Sequence, residues 1–154
     1  MNTTAVSSAA LRSIVDEVTS SMLGCNASHT DASAMADERE WTGTVEVGSP
    51  AELVVLVRCS RAWALDAAQH MLGEPTPSDV SAREVLAEVT SVVGGNIKSL
   101  VAELAGAPVC MPRVELGAGP HLGLIEEVRL QCGRDVITVS IHHPRAGGST
   151  PCAS

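Results

Sequence analysis

The chain has 154 residues, 45% of them hydrophobic and 18% charged, which suits one compact domain and excludes a disordered chain. Ten basic against eighteen acidic residues leave a net charge of −8, and the only aromatic residues are two tryptophans. Without a basic patch or ring platforms, nucleic-acid binding is excluded, and an anionic membrane surface is disfavoured for the same reason.

No apolar stretch approaches the roughly 20 residues of a spanning helix. Met1-Asn2-Thr3-Thr4 lacks basic residues followed by an apolar run, so no secretory signal is expected. Five cysteines (Cys25, Cys59, Cys110, Cys132, Cys152) without a C-x-x-C pair read as free thiols in a reducing cytoplasm. Cys59 and Cys110, inside apolar runs, are expected to be small core hydrophobes.

In chain order, Leu11, Ile14, Val15, Val18 and Met22 recur at helical spacing, with Gly24 as the stop. Residues 25–40 read as a surface loop, part of which could pair as an edge strand. Trp41, Gly43, Val45 and Val47 alternate with polar residues. Gly48-Ser49-Pro50 then turns the chain into the apolar run 51–58, completing a β-hairpin.

Ser60 caps a helix presenting Trp63, Ala64, Ala67, Ala68, Met71 and Leu72 before Gly73. After Glu74-Pro75-Thr76-Pro77, a long helix is predicted over 79–104, capped at Ser78 or Asp79, with a Ser81-x-x-Glu84 capping box as an option. Gly106-Ala107-Pro108 ends it, and a meander of strands is expected over 109–116, 122–130 and 136–142.

This order implies an α+β fold, an antiparallel sheet covered by helices, as a single domain over 10–143. Residues 1–9 and 144–154 are expected to be flexible tails. No nucleophile elbow, phosphate loop, dinucleotide fingerprint or metalloprotease helix is present. The histidines do not suggest a metal site: adjacent His142 and His143 point to opposite faces of a strand, and His29 and His121 fall in a loop and a turn.

The long helix is the informative element. Val85, Leu86, Val89, Val92, Val93, Ile97, Leu100 and Leu104 share one broad face at about 100° per residue. Glu84, Glu88, Ser91, Gly95 and Lys98 form a narrow stripe nearly opposite. Gly94 and Gly95 each cost the helix about 1 kcal/mol relative to Ala, a cost more easily tolerated where another backbone approaches. On pattern alone, such a stripe also fits an ordinary solvated face.

The segment from Asp79 to Lys98 resembles the signature helix of the CheC/CheX/FliY chemotaxis phosphatases. In that family, an Asp or Ser is followed after three residues by Glu and after two more by Asn, with a Gly seven beyond the Glu. Glu88 matches the Glu and Gly95 the Gly. Asp79 and Met71-Leu72-Gly73 match features upstream. The order of elements from Leu11 to His142 resembles the CheX branch.

The resemblance implies a CheX-like fold and hydrolysis of the aspartyl phosphate on a CheY-like response-regulator receiver. It places Glu88 and Ser91 at catalysis and Glu84, Gly94, Gly95 and Lys98 at partner binding. It implies no cofactor of the chain's own, the Mg²⁺ being carried by the receiver.

Two departures stand out: Ser91 occupies the Asn position, and Glu84 the Asp or Ser position. The family Glu meets a receiver lysine and its Asn orients the attacking water, so a shorter side chain with one donor puts turnover in question. A degenerate module that binds a receiver without turnover is the alternative. Asn96, about 140° around the helix from Ser91 and so expected toward the apolar side, is not accepted as a replacement. The sequence leaves homodimerisation through a strand edge open.

Glu17-Val18-Thr19-Ser20 repeats as Glu88-Val89-Thr90-Ser91, with Gly24 matching Gly95. Four-residue matches between amphipathic helices arise easily. If the repeat is real, Glu17 and Ser20 mark a degenerate second face.

Overall fold

The computed structural model describes residues 6–24, 28–29, 40–117, 123–133 and 135–144. Helix α1 (Ser8–Leu23) is capped by Ser7, whose side chain accepts from Ala10 N, and it ends at Gly24 in the left-handed region, φ 60°. A β-carbon is disfavoured there, which is why glycine closes the helix. Val6 is already buried in the core, so the ordered domain begins before the expected boundary at residue 10. Residues 145–154 of the expected C-terminal tail lie outside the described residues.

Strands β1 (Ser28–His29), β2 (Glu40–Val47) and β3 (Leu53–Ser60) follow, then α2 (Arg61–Leu72) and α3 (Asp79–Leu100). A 3-10 turn over Ala102–Leu104 leads to β4 (Arg113–Leu116), β5 (Leu124–Cys132) and β6 (Asp135–His142). All six strands form one sheet in the order β1-β5-β6-β3-β2-β4, and each pairing is antiparallel. The expected α+β class is therefore observed, with the three helices against the sheet.

The order is the same from both ends when β1, β2 and β3 are exchanged with β4, β5 and β6. An approximate two-fold axis thus runs between the central strands β3 and β6. Helix α1 precedes one half and packs on β5 of the other. Helix α3 precedes the second half and packs on β2 of the first. The sequence repeat has a structural counterpart: Val18 and Val89 are both buried. Thr19 and Thr90 are also buried, and each hydroxyl donates to a carbonyl one turn back, Val15 O at 2.9 Å and Leu86 O at 2.7 Å.

The core lies between helices and sheet. It is aliphatic, with Leu11, Leu53, Leu86, Ile97, Leu130 and Ile141 among its fully buried side chains and Trp41 and Trp63 as its two rings. Cys59 sits within it, and burial, followed by the Glu40 and Asp135 carboxylates, pushes its thiol far up, so it stays protonated as a small hydrophobe. Cys110 departs from expectation: it is half-buried and disulfide-bonded rather than a free thiol.

Two predicted elements end differently. Helix α3 stops at Leu100, because Val101 is extended (φ −109°, ψ 107°), so Leu104 belongs to the 3-10 turn and Leu100 is exposed. The predicted strand 109–116 is reduced to Arg113–Leu116 and a single bridge from Val109 to Val47, and it pairs with β2 rather than β5, so the last three strands do not form the expected meander. Met111-Pro112 lies between them, and proline has no N–H for the ladder. No helix among the described residues is long and apolar enough to cross a membrane.

The two glycines within α3 differ in surroundings. A β-carbon on Gly94 would come within 2.7 Å of Val45 Cγ1, whereas one on Gly95 would meet nothing within 4 Å. Gly95→Ala is expected to stabilise the protein by about 1 kcal/mol through helix propensity. In Gly94→Ala the same gain opposes an overpacking cost of about 1–3 kcal/mol, giving net destabilisation. Thermal denaturation of the two variants checks this, and shifts of the same sign would contradict the packing described.

Candidate functional site: the outer ridge of α3

The orientation of α3 is set from beneath. Ser78 caps the helix by accepting from Ser81 N, and Arg61 ties the start of α2 to its first turn through Asp79 Oδ1 at 2.7 Å. The expected capping box is absent, since the helix begins before Ser81, leaving Glu84 a full turn inside. Ala82, Val85, Leu86, Val89, Thr90, Val93, Gly94 and Ile97 are buried.

Thr90 and Leu86 lie directly over Gly43 of β2, and Gly94 lies over Val45. The helix therefore approaches the sheet most closely at positions without side chains. Rotation about its axis would force side-chain bulk into that contact.

With that face fixed, Glu84 and Glu88 are exposed, and Ser91, Gly95 and Lys98 are half-exposed. Glu88 and Ser91 are one turn apart on the same side, so their side chains are neighbours. The structure brings together five of the six predicted positions. Gly94 is the exception: it is buried against Val45, so it cannot present its surface to a partner and serves the helix–sheet contact instead.

The hydroxyl of Ser91, like that of Ser13 on α1, has no partner among the described residues. Thr19, Ser20, Ser21, Thr90, Asn96 and Ser99 all donate back to a carbonyl of their own helix. Among the described residues Ser91 makes no such bond, and the side chains of Glu84, Glu88 and Lys98 have no hydrogen-bond or ion-pair partner. The ridge thus holds unengaged acceptors, a free hydroxyl and a free cation in a row.

Asn96 is exposed rather than turned toward the apolar side, and its amide donates to Val92 O at 2.9 Å. The engagement expected for it at a sheet edge or loop is instead within its own helix.

His142 is buried with its ring 2.7 Å from Ser140 Oγ, His143 is exposed just beyond β6, and His121 lies outside the described residues. Among the described residues, no group of three or more His, Cys, Asp or Glu side chains is arranged to hold a metal ion. A cavity of about 240 Å³ opens beside α2, lined by Trp63, Asp66, His70, Cys132 and Asp135, away from the ridge. The Asp135 carboxylate there is engaged by Ser60 Oγ at 2.9 Å.

No family model and no curated protein matches the sequence. Solved structures do match the fold. The chemotaxis protein CheX from Desulfovibrio desulfuricans superposes with a TM-score of 0.67 at 15% identity, covering 87% of this chain and 96% of that one. CheX from Vibrio vulnificus gives 0.65 at 19% identity, covering 87% and 93%. A chain of the CheX–CheY–BeF3–Mg²⁺ complex from Borrelia burgdorferi gives 0.66 at 15% identity, covering 88% and 96%. From its first helix to its last strand, this chain has the fold of the CheX-type chemotaxis proteins.

Proposed function

We propose that the chain acts on a phosphorylated CheY-like receiver, with the outer ridge of α3 entering the receiver's active site to promote hydrolysis of its aspartyl phosphate. The observation carrying this reading is the unengaged Glu88–Ser91 pair, one turn apart on a ridge held outward by the Gly43 and Gly94 contacts. The fold supports it, since a similar one occurs in a CheX–CheY complex formed with beryllium fluoride and Mg²⁺. Beryllium fluoride there stands in for the phosphoryl group.

In the proposed reaction, a water oxygen attacks phosphorus in line while the bond from phosphorus to the aspartyl oxygen breaks. Inorganic phosphate and a free carboxylate leave, and the water's proton passes to phosphate or solvent. Mg²⁺ is the receiver's own. Glu88 accepts from a receiver lysine and sets the register. Ser91 Oγ bonds the attacking water, and Glu84 and Gly95 border the contact. Positioning is the main contribution such a surface can make to phosphoryl transfer.

The test is the decay of acetyl-phosphate-loaded receivers from the source organism, with and without the protein. Glu88→Ala is expected to slow the stimulated decay roughly tenfold, the loss of one charge-assisted hydrogen bond. If the protein neither binds any receiver nor changes any decay, the reading is wrong.

A second reading, docking without turnover, is favoured by one observation: a serine occupies the position where the resembling family has asparagine. Binding of a phosphorylated receiver with an unaltered decay rate would establish it.

A further inference from the structure

The two-fold arrangement supplies an internal comparison for the ridge. Arg12, Glu17, Val18, Thr19, Ser20 and Gly24 on α1 recur in register as Arg83, Glu88, Val89, Thr90, Ser91 and Gly95 on α3. Glu17 and Ser20 are exposed, as Glu88 is, and Ser91 is half-exposed. The two ridges differ in two places. Ser20 Oγ donates to Glu17 O at 3.3 Å, whereas the Ser91 hydroxyl has no partner among the described residues.

The second difference is at the helix end. Helix α1 ends at Gly24 and leaves the negative end of its dipole there, while α3 runs five residues past Gly95 to Leu100 and places Lys98 on the ridge. Lys98 lies two turns beyond Ser91, about 10.5 Å along the axis and about 20° from its direction. Side chains on a helix lean towards its N-terminus, which carries the Lys98 ammonium back towards Ser91.

Gly95 lies in that path and offers no side chain to block it, with open space around its α-carbon. Lys98 is half-buried and its ammonium has no ion pair among the described residues, as is also true of Arg12 and Arg83, but Lys98 alone of these cations lies in line with Ser91 on the ridge. A lysine in a last turn also favours its own helix dipole by about 0.3–1 kcal/mol. That role needs no open lane towards a serine.

Resting on the receiver reading above, we infer that Lys98 is the specificity-determining residue of the ridge. Its ammonium, reaching over Gly95, meets the phosphoryl group, and so makes α3, not α1, the face that distinguishes the phosphorylated partner. A hydroxyl offers no charge to a phosphoryl dianion, whereas an ammonium binds it as a point charge. Glu88 meets the partner's cation and is indifferent to phosphorylation. Lys98 reads the added negative charge.

The experiment measures affinity for a CheY-type receiver domain of the source organism, unmodified and as its beryllium fluoride–Mg²⁺ form, by titration calorimetry. In Lys98→Gln, affinity for the beryllium fluoride form is expected to fall on the order of tenfold with the unmodified form unchanged, and Lys98→Arg should restore most of the difference. Glu88→Ala should weaken both forms, and Glu17→Ala should change neither. Equal loss for both forms in Lys98→Gln, or no loss while Glu88→Ala abolishes binding, overturns the role of Lys98 and leaves the receiver reading standing. No effect of Glu88→Ala on either form removes the receiver reading and this inference with it.

Discussion

Ser91→Asn is expected to raise the rate of receiver dephosphorylation on the order of 100-fold, the scale at which about 1 Å of misplacement is felt in catalysis. A serine hydroxyl is shorter than an asparagine amide by one heavy-atom bond and has one donor in place of two. Nothing beneath the residue opposes the longer side chain: Ser91 is half-exposed, Gly95 follows one turn later without a side chain, and Glu88 precedes it.

The substitution therefore changes the reach of the ridge without repacking the core. Single-turnover decay of a phosphorylated receiver, measured for both proteins at saturating concentration, checks it. A fall in rate would give the hydroxyl a role that an amide cannot fill. An unchanged rate would mean that the attacking water is not positioned from this side chain.

The largest expected effect on stability comes from Gly43→Ala in β2. A β-carbon there would lie against Thr90 Oγ1, 3.2 Å from Thr90 Cβ and 3.3 Å from Leu86 Cγ, and both side chains are fully buried. Thr90 is β-branched and has little rotamer freedom in a helix. Its hydroxyl is tied to Leu86 O, so relief means losing that bond or lifting the helix.

The cost is about 2–4 kcal/mol, a large part of the roughly 5–15 kcal/mol that holds a domain together. The melting temperature should fall by roughly 5–15 °C. Adding Thr90→Ala should recover part of the loss, because the two sites share one contact. A melting temperature unchanged by Gly43→Ala would show that α3 is not seated on this glycine. The proposed site depends on that seating, since lifting α3 from β2 would tilt Glu88 and Ser91 together.

Much of the site was legible in the sequence because helical periodicity is a local property. Once Val85, Leu86, Val89, Val93 and Ile97 define the buried face, Glu84, Glu88, Ser91, Gly95 and Lys98 must fall on the other. Spacing could not separate two adjacent glycines. Gly94 is about 100° from Gly95, and only the approach of Val45 shows that one serves the core and the other the surface. The exposed position of Leu100 and the early end of α3 depended on the backbone at Val101, where the apolar pattern continued but the helix did not.

The order of helices and strands, the aliphatic core with its two buried tryptophans, and the pairing of a carboxylate with a hydroxyl on one helical ridge were determined by the sequence alone, because each follows from contacts between residues close along the chain. The two-fold arrangement of the sheet, the crossing of α3 onto the opposite hairpin, the disulfide at Cys110 and the freedom of the Ser91 hydroxyl were decided only by the tertiary structure. The first three rest on segments that meet in space but are far apart in sequence, and the last on how the side chain settles on its own helix. A repeat of four residues between α1 and α3 gained meaning when β3 and β6 were found side by side at the centre of the sheet, with Val57 opposite Val139.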